Sequence, residues 1–125
     1  MRHDEENFQI GVVRALRYAG YFVFAVPNGN RNNPIQGHKY KIMGQMAGVS
    51  DLILLMPSGK VFFIELKNPN GKGRQSTSQA DFEDTVRAFG HTYLIWDNWP
   101  QVEQFINAHR KEVQDYLKVG GTNND

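Results

Sequence analysis

Two carboxylates and a lysine occur along the chain in an order that suits phosphodiester chemistry. Asp51 opens an apolar run, and Glu65 and Lys67 alternate with apolar residues at the end of a second run. Side chains alternate between the two faces of a strand, so Glu65 and Lys67 share a face. If the two runs form an antiparallel hairpin across Pro57–Gly59, Asp51 returns to a position beside that pair.

Such a group of side chains favours a hard divalent cation. Neighbouring carboxylates repel each other and raise each other's pKa unless a cation lies between them. Oxygen ligands suit Mg²⁺ or Mn²⁺, which retain several waters and take further ligands from a phosphate. A nearby ammonium can hold the attacking water or stabilise negative charge on the phosphate. The structural alternative is that Asp51 caps a turn while Glu65 and Lys67 form a solvent-facing pair that contributes little.

The composition excludes several classes of protein. The 125 residues suffice for one domain, and the absence of cysteine excludes disulfides, thiolate catalysis and Cys-ligated zinc. A formal net charge of +1 gives no overall attraction to nucleic acid, so any basic surface must be local. No apolar run is long enough to span a membrane, and the first residues lack the apolar core of a signal peptide. We therefore expect a soluble, cytoplasmic protein.

The apolar periodicity predicts alternating helices and strands. Apolar residues recur at helical spacing over residues 5–18. Ser76 and Gln79 form a capping-box pattern that opens a second helix, and a last helix is predicted over residues 98–118. Runs rich in β-branched and aromatic residues predict four strands, at residues 21–27, 51–56, 60–67 and 91–96.

The predicted order is helix, three strands, helix, strand and helix. Nearly all-apolar strands indicate a sheet that helices cover on both faces, so we expect an α/β fold with a mixed sheet. The polar segments 28–49 and 68–78 are predicted to be loops, the first with at most one helical turn. Residues 1–119 are assigned to a single domain, and residues 120–125 to a disordered tail.

From residue 48 to residue 97 the chain resembles the VRR-type nuclease domain, a branch of the PD-(D/E)xK restriction-endonuclease-like nucleases. The resemblance rests on three motif elements in a fixed order, which are Gly48-X-X-Asp51, Glu65-X-Lys67 and Ser76-X-X-Gln79. Ser50 departs from the superfamily, which often has a proline before its aspartate. The resemblance implies a restriction-endonuclease-like core of order α-β-β-β-α-β, to which this chain adds a C-terminal helix.

The resemblance also implies metal-dependent hydrolysis of DNA phosphodiester bonds. In that scheme Asp51 and Glu65 hold Mg²⁺ or Mn²⁺ together with the backbone carbonyl of Leu66. Lys67 is the catalytic ammonium, and Gln79 is an accessory active-site residue. The alternative role of Gln79 is to cap its own helix, and the two roles are compatible because a cap there would aim the amide toward the site.

Members of this family also bring a glutamate from the first helix to the metal. Glu5 precedes Phe8 and Val12 by three and seven residues, so it falls on the core-facing stripe of that helix. An unpaired carboxylate would be costly there. Glu6 points roughly 100° away, so we prefer Glu5. The alternative is that Glu5 is only a favourable charge at a helix N-terminus.

Six basic residues in the two polar segments are candidates to bind the DNA backbone. They stand among Asn and Gly residues that let the protein backbone approach phosphates, and they are Arg31, His38, Lys39, Lys41, Lys72 and Arg74. The alternative for each is a solvated loop charge. Both tryptophans, Trp96 and Trp99, are expected to pack against the core.

The resemblance therefore implies a structure-selective DNA endonuclease of phage type, in the cytoplasm of a bacterial or phage-infected cell. Standalone members of the family resemble Holliday-junction resolvases in being small dimers, and a two-fold homodimer would place two metal sites on two strands of branched DNA. One alternative is a catalytically silent DNA-binding or assembly subunit, against which the presence of Asp51, Glu65 and Lys67 argues. Another is a sequence-specific restriction-type endonuclease, which usually needs recognition elements beyond this length.

Overall fold

A computed structural model describes residues 2–27 and 34–118 of the chain, and within these ranges it describes side chains from residue 4 onward. The described elements are α1 (Arg2–Tyr18), β1 (Phe22–Ala25), α2 (Pro34–Ile42), β2 (Leu52–Leu55), β3 (Val61–Leu66), α3 (Thr77–Ala88), β4 (Thr92–Trp96) and α4 (Trp99–Tyr116). A short 3₁₀ turn, Pro57–Gly59, joins β2 to β3. In the part of the chain that is described, every helix is too short or too polar to cross a membrane.

The four strands form one mixed sheet in the order β1-β2-β3-β4. The first two pairs are antiparallel, and β3 and β4 are parallel, with α3 as the crossover between them. The prediction of an α/β fold with a mixed sheet flanked by helices is confirmed, as is the order α-β-β-β-α-β-α.

Helices α1 and α4 pack against one face of the sheet and form the main core with it. The largest buried side chains of this layer are apolar: Val12, Leu16, Leu52, Leu54, Ile64, Leu66 and Val102 are at most 1% exposed. Phe105 of α4 packs edge-on against Phe62 of β3 at a ring-centroid distance of 5.2 Å. Burial of these side chains is the dominant favourable term in folding. This layer holds α1 and the sheet in fixed relative positions.

The opposite face of the sheet is covered unevenly. Helix α3 packs over the β3 and β4 side, where Phe82 and Phe63 lie 5.8 Å apart between ring centroids. The register places Phe22 opposite Leu55 at the far side of this face, and they are 65% and 42% exposed. The β1 and β2 side of this face is therefore an exposed apolar surface.

The connection between β1 and β2 differs from the sequence prediction. Residues 34–42, predicted as loop, form α2, and no residue of this helix is buried. Ile35 and Ile42 are 82% and 73% exposed, so there is no core-facing stripe that periodicity could have detected. Arg31 and the predicted tail at 120–125 lie outside the described residues, and the domain boundary near residue 119 stays a prediction.

Candidate active site at the open end of the β2–β3 hairpin

Asp51 lies at the open end of the hairpin and is fixed to both neighbouring strands. Leu52 pairs with Ile64, so the residue before Leu52 lies across from Glu65. The Leu66 N–H donates to Asp51 Oδ2 over 2.6 Å. On the other side, the Val26 N–H donates to the Asp51 carbonyl over 2.9 Å. The antiparallel hairpin therefore brings Asp51 beside Glu65.

Glu65 is fully buried, and its two oxygens have different surroundings. Oε1 accepts a hydrogen bond from the Tyr93 hydroxyl at 2.5 Å and another from Gln75 Nε2 at 3.0 Å. Oε2 accepts no hydrogen bond of good geometry from the described residues, although Lys67 Nζ lies 2.9 Å away as an ion-pair partner. One oxygen is thus held by the protein, and the other is the oxygen a cation could take.

The Lys67 ammonium is surrounded by three oxygens. Nζ donates to Gln79 Oε1 and to the Arg74 carbonyl, both at 2.9 Å, and it is ion-paired with Glu65 Oε2. Two of the three donors of the ammonium are therefore used in hydrogen bonds. Gly73 lies against the stem of the same side chain, because a Cβ built there would be 3.0 Å from Lys67 Cβ. The loop after β3 therefore wraps the lysine and directs its charge toward Glu65.

Gln79 takes both of the roles that its position allows. Its N–H donates to Ser76 Oγ at 3.2 Å, and its Oε1 accepts from the Ser76 N–H at 2.8 Å, which completes the capping box of α3. The same Oε1 accepts from Lys67 Nζ. The N-terminus of α3 is consequently joined to the lysine through one amide oxygen.

Gly48 allows α3 to begin this close to the strand that carries Asp51. Its φ is +83°, a left-handed conformation that glycine adopts without steric cost. A Cβ at this position would lie 2.3 Å from the carbonyl oxygen of Ser78 in the first turn of α3. The Gly48-X-X-Asp51 spacing therefore has a packing reason as well as a chemical one.

The charges around Asp51 disfavour its ionised form. Burial is the largest cause of a raised pKa for this carboxyl, and the Leu66 N–H opposes it. The negative charges of Glu5 and Glu65 raise the pKa of Asp51 further, while Lys67 lowers it. A cation at this edge would remove that cost.

The oxygen donors at this edge fit a divalent metal. Across residues 2–27 and 34–118, no three His, Asp or Glu side chains form a metal site by themselves. Mg²⁺ needs fewer, since it commonly takes one or two carboxylates together with waters and substrate phosphates. Asp51 and Glu65 Oε2 would supply those carboxylates, an assignment that stays a prediction. The Leu66 carbonyl points to the same side of its strand as its N–H, which is toward Asp51.

The two glutamates of α1 differ in their relation to this site. Glu5 is half-buried and close enough to Asp51 to raise its pKa. Glu6 is exposed and is not among the charges that shift Asp51. Glu5 therefore faces the site, and its role as a metal ligand stays a prediction.

Of the predicted DNA-binding residues, two lie in the loop that borders this edge. Lys72 and Arg74 are exposed in the loop that wraps Lys67. The other described candidates, His38, Lys39 and Lys41, lie on α2 rather than in a loop. Val26, which follows β1, donates to the Asp51 carbonyl just before β2 begins at Leu52. Arg31 lies outside the described residues.

Sequence reasoning missed Tyr93 and Gln75, which hold Glu65. Tyr93 lies in β4 and is 2% exposed, and burial together with its bond to Glu65 raises the pKa of its hydroxyl, which stays a donor. Gln75 Nε2 also donates to Glu83 at 2.9 Å, and Arg87 joins Glu83 to the Tyr93 carbonyl. A tyrosine in a buried strand signals that its hydroxyl has a partner, but not which partner.

Comparison with known proteins identifies the fold. No protein-family model matches the sequence, and no curated protein matches it. A solved structure named "VRR_NUC domain protein" superposes with a TM-score of 0.66 at 17% identity, covering 89% of this chain and 88% of the other. Another, named "VRR_NUC domain", gives 0.61 at 18% identity and covers 83% and 95%. The chain therefore has the fold of VRR-NUC domain proteins.

Proposed function

We propose that this chain, with its VRR-NUC fold, is a Mg²⁺- or Mn²⁺-dependent endonuclease that hydrolyses phosphodiester bonds in branched DNA. The observation that carries the proposal is the convergence of Asp51, Glu65 and Lys67 at one sheet edge, around an oxygen of Glu65 that accepts no hydrogen bond from the described residues. The likeness to two VRR_NUC structures supports it at the level of the fold.

The residues of this edge have separate roles in the proposed hydrolysis. A metal held by Asp51, Glu65 Oε2 and the Leu66 carbonyl would supply positive charge at the scissile phosphate. Gln79 and the Arg74 carbonyl accept two of the Lys67 donors and would hold the ammonium in place, which leaves its third donor for water or phosphate. That donor orients the attacking water or stabilises charge on the phosphate. Water adds to phosphorus as the bond to the departing sugar oxygen breaks, and that oxygen takes a proton.

The preference for branched DNA rests on a proposed homodimer. Phe22 and Leu55 lie on the exposed β1 and β2 side of the sheet, where Phe24 and Phe22 contact each other edge-on with centroids 6.2 Å apart. An exposed apolar surface of this kind marks an interaction site, and a second copy of the chain can cover it across a two-fold axis. Two copies carry two cutting sites, as two strands of a four-way junction require.

The decisive experiment maps the cuts in labelled DNA. Purified protein is incubated with linear, flap, splayed and four-way substrates, with Mg²⁺, with Mn²⁺ and with neither. We expect paired symmetrical cuts in the four-way junction, only when metal is present. Asp51→Ala, Glu65→Ala and Lys67→Ala should each abolish them. Lys60→Ala is the matched control, since Lys60 pairs with Glu112 at the surface and is 48% exposed.

Three other outcomes would reject parts of the proposal. Equal cutting of every duplex would reject selectivity for branched DNA. Binding without cleavage in both metals would favour a silent DNA-binding subunit. Cleavage at the wild-type rate by the Asp51, Glu65 or Lys67 variants would reject the assignment of the site.

A further inference from the structure

A cleft of about 430 Å³ lies next to the proposed catalytic edge and has no role in the scheme above. It is lined by Trp99 and Phe8, by Asp4 and Asn7 of α1, and by residues 68–70, and we refer to it as the Trp99 cleft. Residues 68–70 directly follow Lys67, and Asp4 directly precedes Glu5. The cleft and the catalytic edge are therefore built from adjoining residues of the same two segments.

Trp99 forms a partly exposed aromatic wall of this cleft. Its ring packs edge-on against Phe8 at 5.5 Å, and a Cβ at Gly11 would lie 2.7 Å from the indole. Trp99 is nevertheless 42% exposed, whereas Trp96 is 4% exposed and packs as expected. Because it is the first residue of α4, which Asn98 caps, the indole is held on a rigid element. A fixed ring with an exposed part can stack against another flat ring.

The rest of the cleft suits an uncharged polar ligand. Asn7, Asn68 and Asn70 line it, and carboxamides both donate and accept hydrogen bonds at base edges. The Asn68 and Asn70 side-chain oxygens accept from backbone N–H groups within the loop, which fixes its shape. None of the described lining residues is Lys or Arg, and Asp4 contributes a carboxylate. An aromatic wall beside carboxamide groups suits a flat, polar ring.

We propose that the Trp99 cleft takes an unpaired nucleobase of the DNA substrate, with Trp99 as the stacking surface and the asparagines as hydrogen-bond partners at the base edge. The proposal rests on the proposed function and deepens it. It explains how this domain selects DNA that has unpaired bases beside the cut. The volume of the cleft lies within the range of pockets that bury small ligands.

The test measures binding without cleavage. Full-length protein carrying Asp51→Asn, without divalent metal, is titrated with a blunt duplex and with the same duplex bearing a short single-stranded overhang. We expect the overhang to quench tryptophan fluorescence more than the blunt duplex does. The signal of Trp99 is separable because Trp96 is buried, and Trp99→Phe should remove the quenching.

The affinity measurements use matched variants. In the same background Trp99→Ala should weaken binding of the overhang DNA roughly 5- to 150-fold, the effect of losing one stacked base, and change blunt-duplex binding less than about twofold. Trp99→Phe, which keeps an aromatic ring, should fall between. Tyr116→Ala is the control, since Tyr116 is 47% exposed at the other end of α4 and should leave both affinities unchanged.

Any of three results would overturn the proposal. The first is tryptophan fluorescence that does not change when the overhang DNA is added. The others are that Trp99→Ala weakens binding of both DNAs equally, or that Tyr116→Ala weakens binding as much as Trp99→Ala does. Its failure is distinguishable from failure of the nuclease assignment. If wild-type protein cuts junctions but overhang DNA does not quench Trp99 fluorescence, only the proposed role of the Trp99 cleft is refuted. If the protein binds overhang DNA through Trp99 but cuts no substrate, only the proposed nuclease activity is refuted.

Discussion

The substitution Tyr93→Phe tests the contribution of a single hydrogen bond in the candidate site. The change removes only the hydroxyl that donates to Glu65 Oε1 at 2.5 Å and keeps the ring, which packs 6.2 Å from that of Phe82. Tyr93 is 2% exposed and Glu65 is 0% exposed, so water has little access to replace the lost donor. Gln75 still donates to the same oxygen.

The expected cost follows from these contacts. A hydrogen bond to a charged group contributes about 1.5–3 kcal/mol, and the remaining bond from Gln75 favours the lower end, about 1.5–2 kcal/mol. For a domain of this size that corresponds to a fall in melting temperature of roughly 6–8 °C. Residues that orient a metal ligand change metal affinity about 10- to 100-fold when they are mutated, so binding of Mn²⁺ should weaken at least about tenfold.

The assay is thermal unfolding with and without metal, followed by a metal titration of the cleavage rate. At a Mn²⁺ concentration about 100 times the wild-type Kd, wild-type protein gains about 2.7 kcal/mol, and the variant should gain about 1.4 kcal/mol. Tyr21→Phe is the matched control, because Tyr21 is 6% exposed and its hydroxyl makes a long 3.4 Å bond to the Ile106 carbonyl. Equal losses in both variants, with unchanged metal response in Tyr93→Phe, would refute the reasoning.

Three further predictions concern other parts of the site. The folded-state pKa of Asp51 is raised, so the ionised side chain destabilises the metal-free fold at neutral pH. The free energy of unfolding of Asp51→Asn should therefore rise relative to that of wild type as the pH increases above about 4. A difference between the two proteins that does not change with pH in denaturant titrations would contradict this. Gly48→Ala should lower stability by about 2–4 kcal/mol in the same titrations, because its Cβ meets the Ser78 carbonyl at positive φ, and wild-type stability would exclude the clash. Glu5→Gln should raise the metal concentration for half-maximal cleavage while the exposed neighbour Glu6→Gln should not, and equal effects would remove Glu5 from the site.

The sequence was sufficient for the parts of the site that depend on local geometry. Strand alternation and one short turn determine that Asp51 returns beside Glu65, and the Ser76 to Gln79 spacing determines where α3 begins. Each of these relations spans fewer than twenty residues. The order of helices and strands was predictable for the same reason, because each apolar run shows its own period.

The remaining features depend on contacts between distant segments. Tyr93 reaches Glu65 because β4 pairs in parallel with β3 across a helical crossover, and no local pattern states that register. The complete burial of Glu65 likewise results from the segment that precedes α3 and from β4. Helix α2 was missed because no residue in it is buried, so its sequence carries no amphipathic period.

The side-chain amide oxygen of Gln79 couples the formation of the first turn of α3 to the position of Lys67. It accepts both from the backbone that begins α3 and from Lys67, so the lysine loses one of its two hydrogen bonds whenever that first turn frays. Helix ends are among the least stable parts of a fold, and opening there is frequent. The proposed cleavage activity should therefore fall on warming before the core unfolds.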